Sequence, residues 1–283
     1  MKKVPILATV RAAWSFVYTH LGAIIGLVWV PVVVMTVTGF FVESRYYAAV
    51  ADSLASGNVV TQGPALLGIF VYFIAVLLLY SAMYVPVVQL AQGQRKDGAL
   101  LHFAFGPPEW RLFRALLGLF AFLLVPVMLS GVLASLPQLA KMQELLSVLL
   151  VLVFMGIAYA GLRFVVLLPA IAVSEEGPAL PRAWKLSAGN FWRLLAILLL
   201  TVAPLLLCDG IAGVVLMGAQ AMAPGLDQTP AMQAARLQAV AGNMPIAKGI
   251  EFFIAPLLTG LVASISASVY AVVKDTGRVN ISV

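Results

Sequence analysis

Charged side chains are scarce in this chain: 17 Lys and Arg with 11 Asp and Glu make up only 10% of its 283 residues. A soluble domain carries roughly a quarter charged residues, because its surface must be wetted. The shortage argues against an ordinary water-soluble fold. Cysteine is scarcer still. The single Cys208 excludes an intramolecular disulfide, and with two histidines it cannot complete a structural zinc set. His20 and His102 fall at helix edges beside aromatic or basic neighbours, with no metal-spaced partner, and read as interfacial anchors.

The chain also lacks a P-loop, a dinucleotide glycine pattern, a nucleophile elbow and a zinc-protease helix. No catalytic, cofactor or metal residue is therefore assigned, and an enzyme is not expected. Glu175 and Glu176 are adjacent and precede Gly177-Pro178. They read as a solvated cap beside Arg182 and Lys185 rather than an acid–base pair.

What is present is apolar. Hydrophobic residues reach 63% and the mean hydropathy is +1.05. Lipid is the solvent that suits this balance. A helix needs ~20 apolar residues to cross a bilayer. Six stretches qualify, at about 20–42, 63–93, 111–136, 145–173, 191–222 and 249–273. The sequence thus predicts an all-α, polytopic transmembrane bundle of six spans, forming a single integral membrane domain over 1–283. Lys2 and Lys3 resemble a secretory leader, but Arg11 interrupts the apolar run. Leu7, Val10, Trp14 and Val17 recur at helical spacing, so 4–18 reads as a retained interfacial helix.

The net charge of +6 lies mostly in short links, which is the pattern of positive-inside topology and not of nucleic-acid binding. With the N-terminus inside, thirteen Lys and Arg fall on the inner side and four outside: Arg45, Lys141, Arg236 and Lys248. Both termini are therefore expected to be cytoplasmic. The outer connections are expected at 43–62, at a tight turn near Pro137, and at 223–248, where Ala231 to Val240 is helix-capable.

The chain also suggests a three-fold parallel repeat of an interfacial helix plus two spans. Ala13-Trp14 leads to His20-Leu21, and Ala183-Trp184 leads to Asn190-Phe191 at the same spacing; Leu100, Leu101 and Phe103 lead more loosely to Trp110-Arg111. Prolines recur in the spans, at Pro31, Pro86, Pro126, Pro169, Pro204 and Pro256. Small residues at four-residue spacing (Gly22 and Gly26, Gly156 and Ala160, Gly260, Ser264 and Ser268) suit close helix approach within the bundle.

Ionisable residues within lipid mark candidate sites. Arg163 falls near the inner headgroups, Asp209 near the outer ones, and Glu144 and Glu251 at outer helix starts. The middle of the bilayer reads as free of charge. Arg163 has three readings: snorkelling, a structural partner on another helix, or a lipid phosphate.

Arg163-Phe164, Leu168-Pro169-Ala170, Glu175-Glu176-Gly177, Ala183-Trp184, Ser187 and Asn190-Phe191-Trp192-Arg193 together resemble a bacterial polytopic inner-membrane family. That group includes the membrane domain found before some glycerophosphodiester phosphodiesterases and YciC-type uncharacterised proteins. The sharp similarity covers about thirty residues. It implies a multi-helix bacterial inner-membrane fold associated with lipid or envelope biology, without phosphodiesterase activity, which those enzymes carry in a separate barrel. It also implies that Arg163 and Glu175 tie the fourth span to the helix around Trp184.

Candidates for lipid-headgroup or structural polar contacts are Arg163, Glu175, Arg182, Trp184, Lys185 and Arg193. Expected partners are membrane lipids, with a membrane-protein partner or a second copy as further options. Two functions compete. One is a non-enzymatic scaffold or regulatory module in the inner membrane. The other is a permease or lipid transporter using proline-kinked helices. A mid-depth cavity lined by Thr201, Thr259, Tyr80 or Gln89 would favour the second; a packed interior would favour the first.

Overall fold

The computed structural model describes residues 3–57, 63–95, 105–134, 143–217 and 229–278. All the regular structure there is helical: α1 Ile6–Ser56, α2 Gly63–Ala91, α3 Pro107–Ala134, α4 Gln143–Val165, α5 Leu168–Ser174, α6 Ala179–Ser187, α7 Phe191–Met217, α8 Pro230–Gly242 and α9 Met244–Arg278. Five segments are long and apolar enough to cross a membrane: α1, α2, Val151–Ser174 across α4 and α5, the first part of α7, and α9. α3, with 28 residues, carries Glu109, Arg111 and Arg114 in its first turns and an uncharged apolar sequence from Ala115 onward.

The expected interfacial helix and first span are one helix of 51 residues, α1, broken only at His20, whose φ of −117° and ψ of 15° leave the helical region. At about 1.5 Å per residue α1 is roughly 75 Å long, well beyond a ~30 Å hydrocarbon core. Its excess length replaces most of the outer loop expected at 43–62. The chain stays helical to Ser56 and stops at Gly57, where φ is +69°. The extension packs against α8, which spans the stretch expected to be helix-capable. α9 begins at Met244, earlier than the expected span at 249. The turn near Pro137, the middle link with Leu100, Leu101, Phe103 and His102, and the end of the fifth span lie outside the described residues.

Of the apolar line on the start of α1, Val17 is buried and Val10 and Trp14 pack against the core beside buried Thr9 and Ala13, whereas Leu7 is 77% exposed. Small residues let α1 lie close to its neighbours, so Leu7 and Tyr18 point away from them.

Five prolines sit inside helices, Pro31, Pro86, Pro126, Pro204 and Pro256. Only Pro169 coincides with a break, between α4 and α5, where the ring cannot continue the hydrogen-bond ladder. Ser266 of α9 meets the need this creates, accepting from the Ala170 N–H at 3.0 Å.

α9 is the central helix: 61% of its apolar stretch is buried, against 22% in α7. Where α9 crosses α1, Gly260 leaves little room to spare. An added Cβ would lie 2.9 Å from Ile24 Cδ1 and 3.0 Å from Val17 Cγ2. Among the described residues, an added Cβ at Gly22 or Gly156 would meet nothing within 4 Å, while Ala160, four residues after Gly156, is buried. Around the crossing, Ile24, Val28, Val87, Leu168, Leu261 and Ile265 form a closed core. On the periphery, α4 exposes Val151, Leu152, Phe154 and Met155, and α7 exposes Leu199, Leu200, Leu206 and Leu207. Water would penalise such continuous surface at about 25 cal/mol per Å2, and lipid does not.

Candidate functional site

Polar contacts gather at the two ends of the bundle. At the end that carries α6, Arg163 is 6% exposed and lies at the last turn of α4. Its Nε donates to Ser187 Oγ at 2.8 Å, one terminal nitrogen donates to the Tyr159 hydroxyl at 3.2 Å, and the other to the Trp184 carbonyl. The guanidinium carbon stands 3.7 Å from the Trp184 ring centre. Partial charges and a π face stabilise this cation in place of a carboxylate, and α4 is thereby fastened to α6.

Glu175, in the link that follows α5, accepts from Arg182 Nε at 3.0 Å and from the Tyr270 hydroxyl at 2.7 Å. It thus joins α6 to α9. Arg193 donates to the Val4 carbonyl at 2.9 Å, and Asn190 accepts from the Val4 N–H at 3.3 Å, so α7 holds the start of the chain by both main-chain groups. Of the six candidate residues, the structure brings Arg163 to Trp184 and Glu175 to Arg182. Lys185 is exposed beside the second pair, and Arg193 lies apart on the N-terminal segment. The side chains of Glu144 and Asp209 lie outside the described residues. His20 stacks on Phe16 at 4.8 Å and its ring nitrogen pairs with Thr19 Oγ1 at 2.8 Å.

At the opposite end, Lys248 is buried beneath two carboxylates. Its Nζ donates to Glu43 Oε1 and Glu251 Oε2, each at 2.7 Å. The ammonium passes over Gly39 of α1, where an added Cβ would overlap the Tyr72 hydroxyl and lie 3.1 Å from Nζ. These three charges stand on the wall of a cavity of about 440 Å3 between α1, α2, α7, α8 and α9. Its volume is in the range of small-molecule sites.

The cavity is deep. Tyr80 and Tyr84 on α2 and Thr259 on α9 line it. Tyr80 is 17 residues from Gly63 and Thr259 is 15 from Met244, which places both roughly 22–25 Å along their helices. One residue past Thr259, Gly260 packs against Ile24 and Val17 where α9 meets α1. Of the four polar residues expected at mid-depth, Tyr80 and Thr259 line the cavity. Thr201 is fully buried, donating to the Ile197 carbonyl at 2.7 Å, and Gln89 lies outside the lining.

Glu43 and Lys248 were not anticipated as a site. They are 205 positions apart, and Glu43 fell in a stretch expected to be loop. The spacing of Lys248 and Glu251, three apart on one helix, was the legible part of the triad. Among the described residues no group of histidine, cysteine and acidic side chains is placed to hold a metal.

No family profile, no curated protein and no solved structure matches the chain.

Proposed function

We propose that this chain is a six-pass bacterial inner-membrane protein that takes an amphipathic molecule into the cavity lined by α1, α2, α7, α8 and α9, acting as a permease or lipid-moving protein. The observation that carries this reading is the 440 Å3 cavity reaching Tyr80 and Thr259 at the middle of their helices. A purely scaffolding module has no need of such a space, because an unfilled chamber forfeits dispersion contacts. The tight α1–α9 contact at Gly260 lies next to the inner end of the cavity, at Thr259. Five apolar helices with α3 as the sixth, together with the lysine and arginine bias, support six crossings with both termini and the α6 end on the cytoplasmic side.

The wall carries two carboxylates and one ammonium, a net charge of −1, beside the rings of Tyr47, Tyr80 and Tyr84. A cationic or neutral polar head with an apolar body suits it better than an anion. The three-fold repeat belongs to the same proposal: the helical path breaks at His20 and again around Gly189, where φ is +74°. These breaks follow Trp14 and Trp184 at nearly the same interval. The resemblance to YciC-type proteins, and the association with lipid or envelope biology it implies, support handling of a lipid-like ligand.

Thiol labelling tests the cavity. In a Cys208→Ser background, Thr259→Cys should react with a small membrane-impermeant reagent from the side that labels Gln228→Cys. A Thr259→Cys that stays unreactive from both sides while Gln228→Cys reacts sinks the reading in favour of a packed module. Leu180→Cys should label only from the cytoplasm and Ala55→Cys only from outside; a reversal overturns the topology.

A further inference from the structure

A second pocket, of about 580 Å3, lies at the α6 end, between the first turns of α3 and the start of α6. Arg111, Arg114 and Ala115 line it from α3, and Glu176, Leu180 and Pro181 from the link and α6. The two arginines are three apart on one helix and share a face. Each uses its Nε on main chain: Arg111 on the Ala172 carbonyl at 3.0 Å, Arg114 on the Trp110 carbonyl at 3.3 Å. Among the described residues neither has a carboxylate within 4 Å, since the ion pairs there are Arg182–Glu175 and Lys248 with Glu43 and Glu251. Two guanidinium groups are thus oriented by the backbone, with their terminal nitrogens not engaged by a carboxylate. Glu176 removes one unit of charge, and the pocket keeps a net charge of +1.

The depth of the pocket indicates what fills it. Trp110, Trp184 and Trp192 are all substantially exposed at this same end, 47%, 42% and 76%. Tryptophans at one level mark the headgroup layer of a bilayer. The pocket therefore lies where lipid phosphates lie, with Ala115, Leu180 and Pro181 offering apolar surface beside the arginines.

We propose that Arg111 and Arg114 form a binding site for the phosphate of an anionic phospholipid on the cytoplasmic leaflet. Guanidinium groups suit this ligand because their planar forks match phosphate oxygens in pairs. The site is separate from the cavity at the α8 end and stands without it.

The test uses the full chain in uncharged detergent, reading the thermal unfolding midpoint as lipid is added. Phosphatidylglycerol should stabilise the protein and phosphatidylcholine should not. Arg114→Gln, at an exposed position that tolerates change, should weaken the apparent affinity for phosphatidylglycerol roughly tenfold, the loss of one charge-assisted contact. Arg111→Lys keeps the charge and should weaken it less than Arg111→Gln. Lys185→Gln, on the same rim outside this pocket, should leave the affinity unchanged. An equal loss in Lys185→Gln and Arg114→Gln would show diffuse attraction to a basic rim and overturn the site. Equal stabilisation by phosphatidylcholine would overturn it too. Stabilisation by soluble glycerol phosphate at the same concentration would overturn the lipid assignment.

Discussion

Replacing Lys248 by methionine isolates the electrostatics of the cavity wall. Methionine keeps the length and apolar stem that cross Gly39 and removes only the ammonium. Glu43 and Glu251 each lie 2.7 Å from the nitrogen that is lost, so both carboxylates lose their shared partner and repel each other. Taking one member from a buried ion pair costs about 3–5 kcal/mol. Glu43 and Glu251 keep 22% and 39% side-chain exposure, so water screens part of this and the expected loss is about 1–3 kcal/mol. A fall of several degrees in the thermal unfolding midpoint in detergent measures it. The triple variant Glu43→Gln, Lys248→Met, Glu251→Gln has no charge left to strand and should recover most of the loss. If Lys248→Met unfolds at the parent temperature, or the triple variant is no more stable than the single one, the carboxylates do not depend on Lys248 and the account of the wall is wrong.

Three further outcomes follow from the packing. Arg163→Gln should lower stability by about 2–4 kcal/mol, the sum of charged hydrogen bonds and the stack on Trp184, and Arg163→Lys should recover only part of it because an ammonium lacks the planar fork; thermal unfolding of the pair compares them. Gly260→Ala should cost about 1–3 kcal/mol through overlap with Ile24 and Val17. Adding Ile24→Val, which removes the nearest methyl, should return part of that loss in a double-mutant cycle. Asn190→Ala should leave the Val4 N–H without its acceptor, costing about 1 kcal/mol and raising protease sensitivity of the N-terminal segment.

The contrast between the two ends of the molecule shows where sequence reading reaches and where it stops. The cluster around Trp184 was legible because its members are near in the chain: Arg163, Glu175, Arg182 and Ser187 lie within 25 positions. Short links leave such residues few other neighbours. The triad was not legible, because Glu43 meets Lys248 only after four long helices have turned back on one another. Glu43 also followed an apolar run of span length, which made a loop the natural reading. Its helix in fact continues to Ser56 because α8 supplies a surface to pack on.

Composition and the length of the apolar runs by themselves determined that the chain is helical and built from segments long enough to cross a membrane, since backbone groups in lipid must be satisfied within each segment. They could not say which faces of those helices meet. An apolar residue suits lipid as well as it suits a neighbouring helix, so the sequence carries no hydrophobic signal for the inside of the bundle. Only the tertiary structure decided that α9 is central, that Gly260 and not Gly22 lies against a neighbouring helix among the described residues, and that Tyr80, Thr259 and the carboxylates around Lys248 share one cavity. Those choices rest on shape and on long-range ion pairing, which no local pattern records.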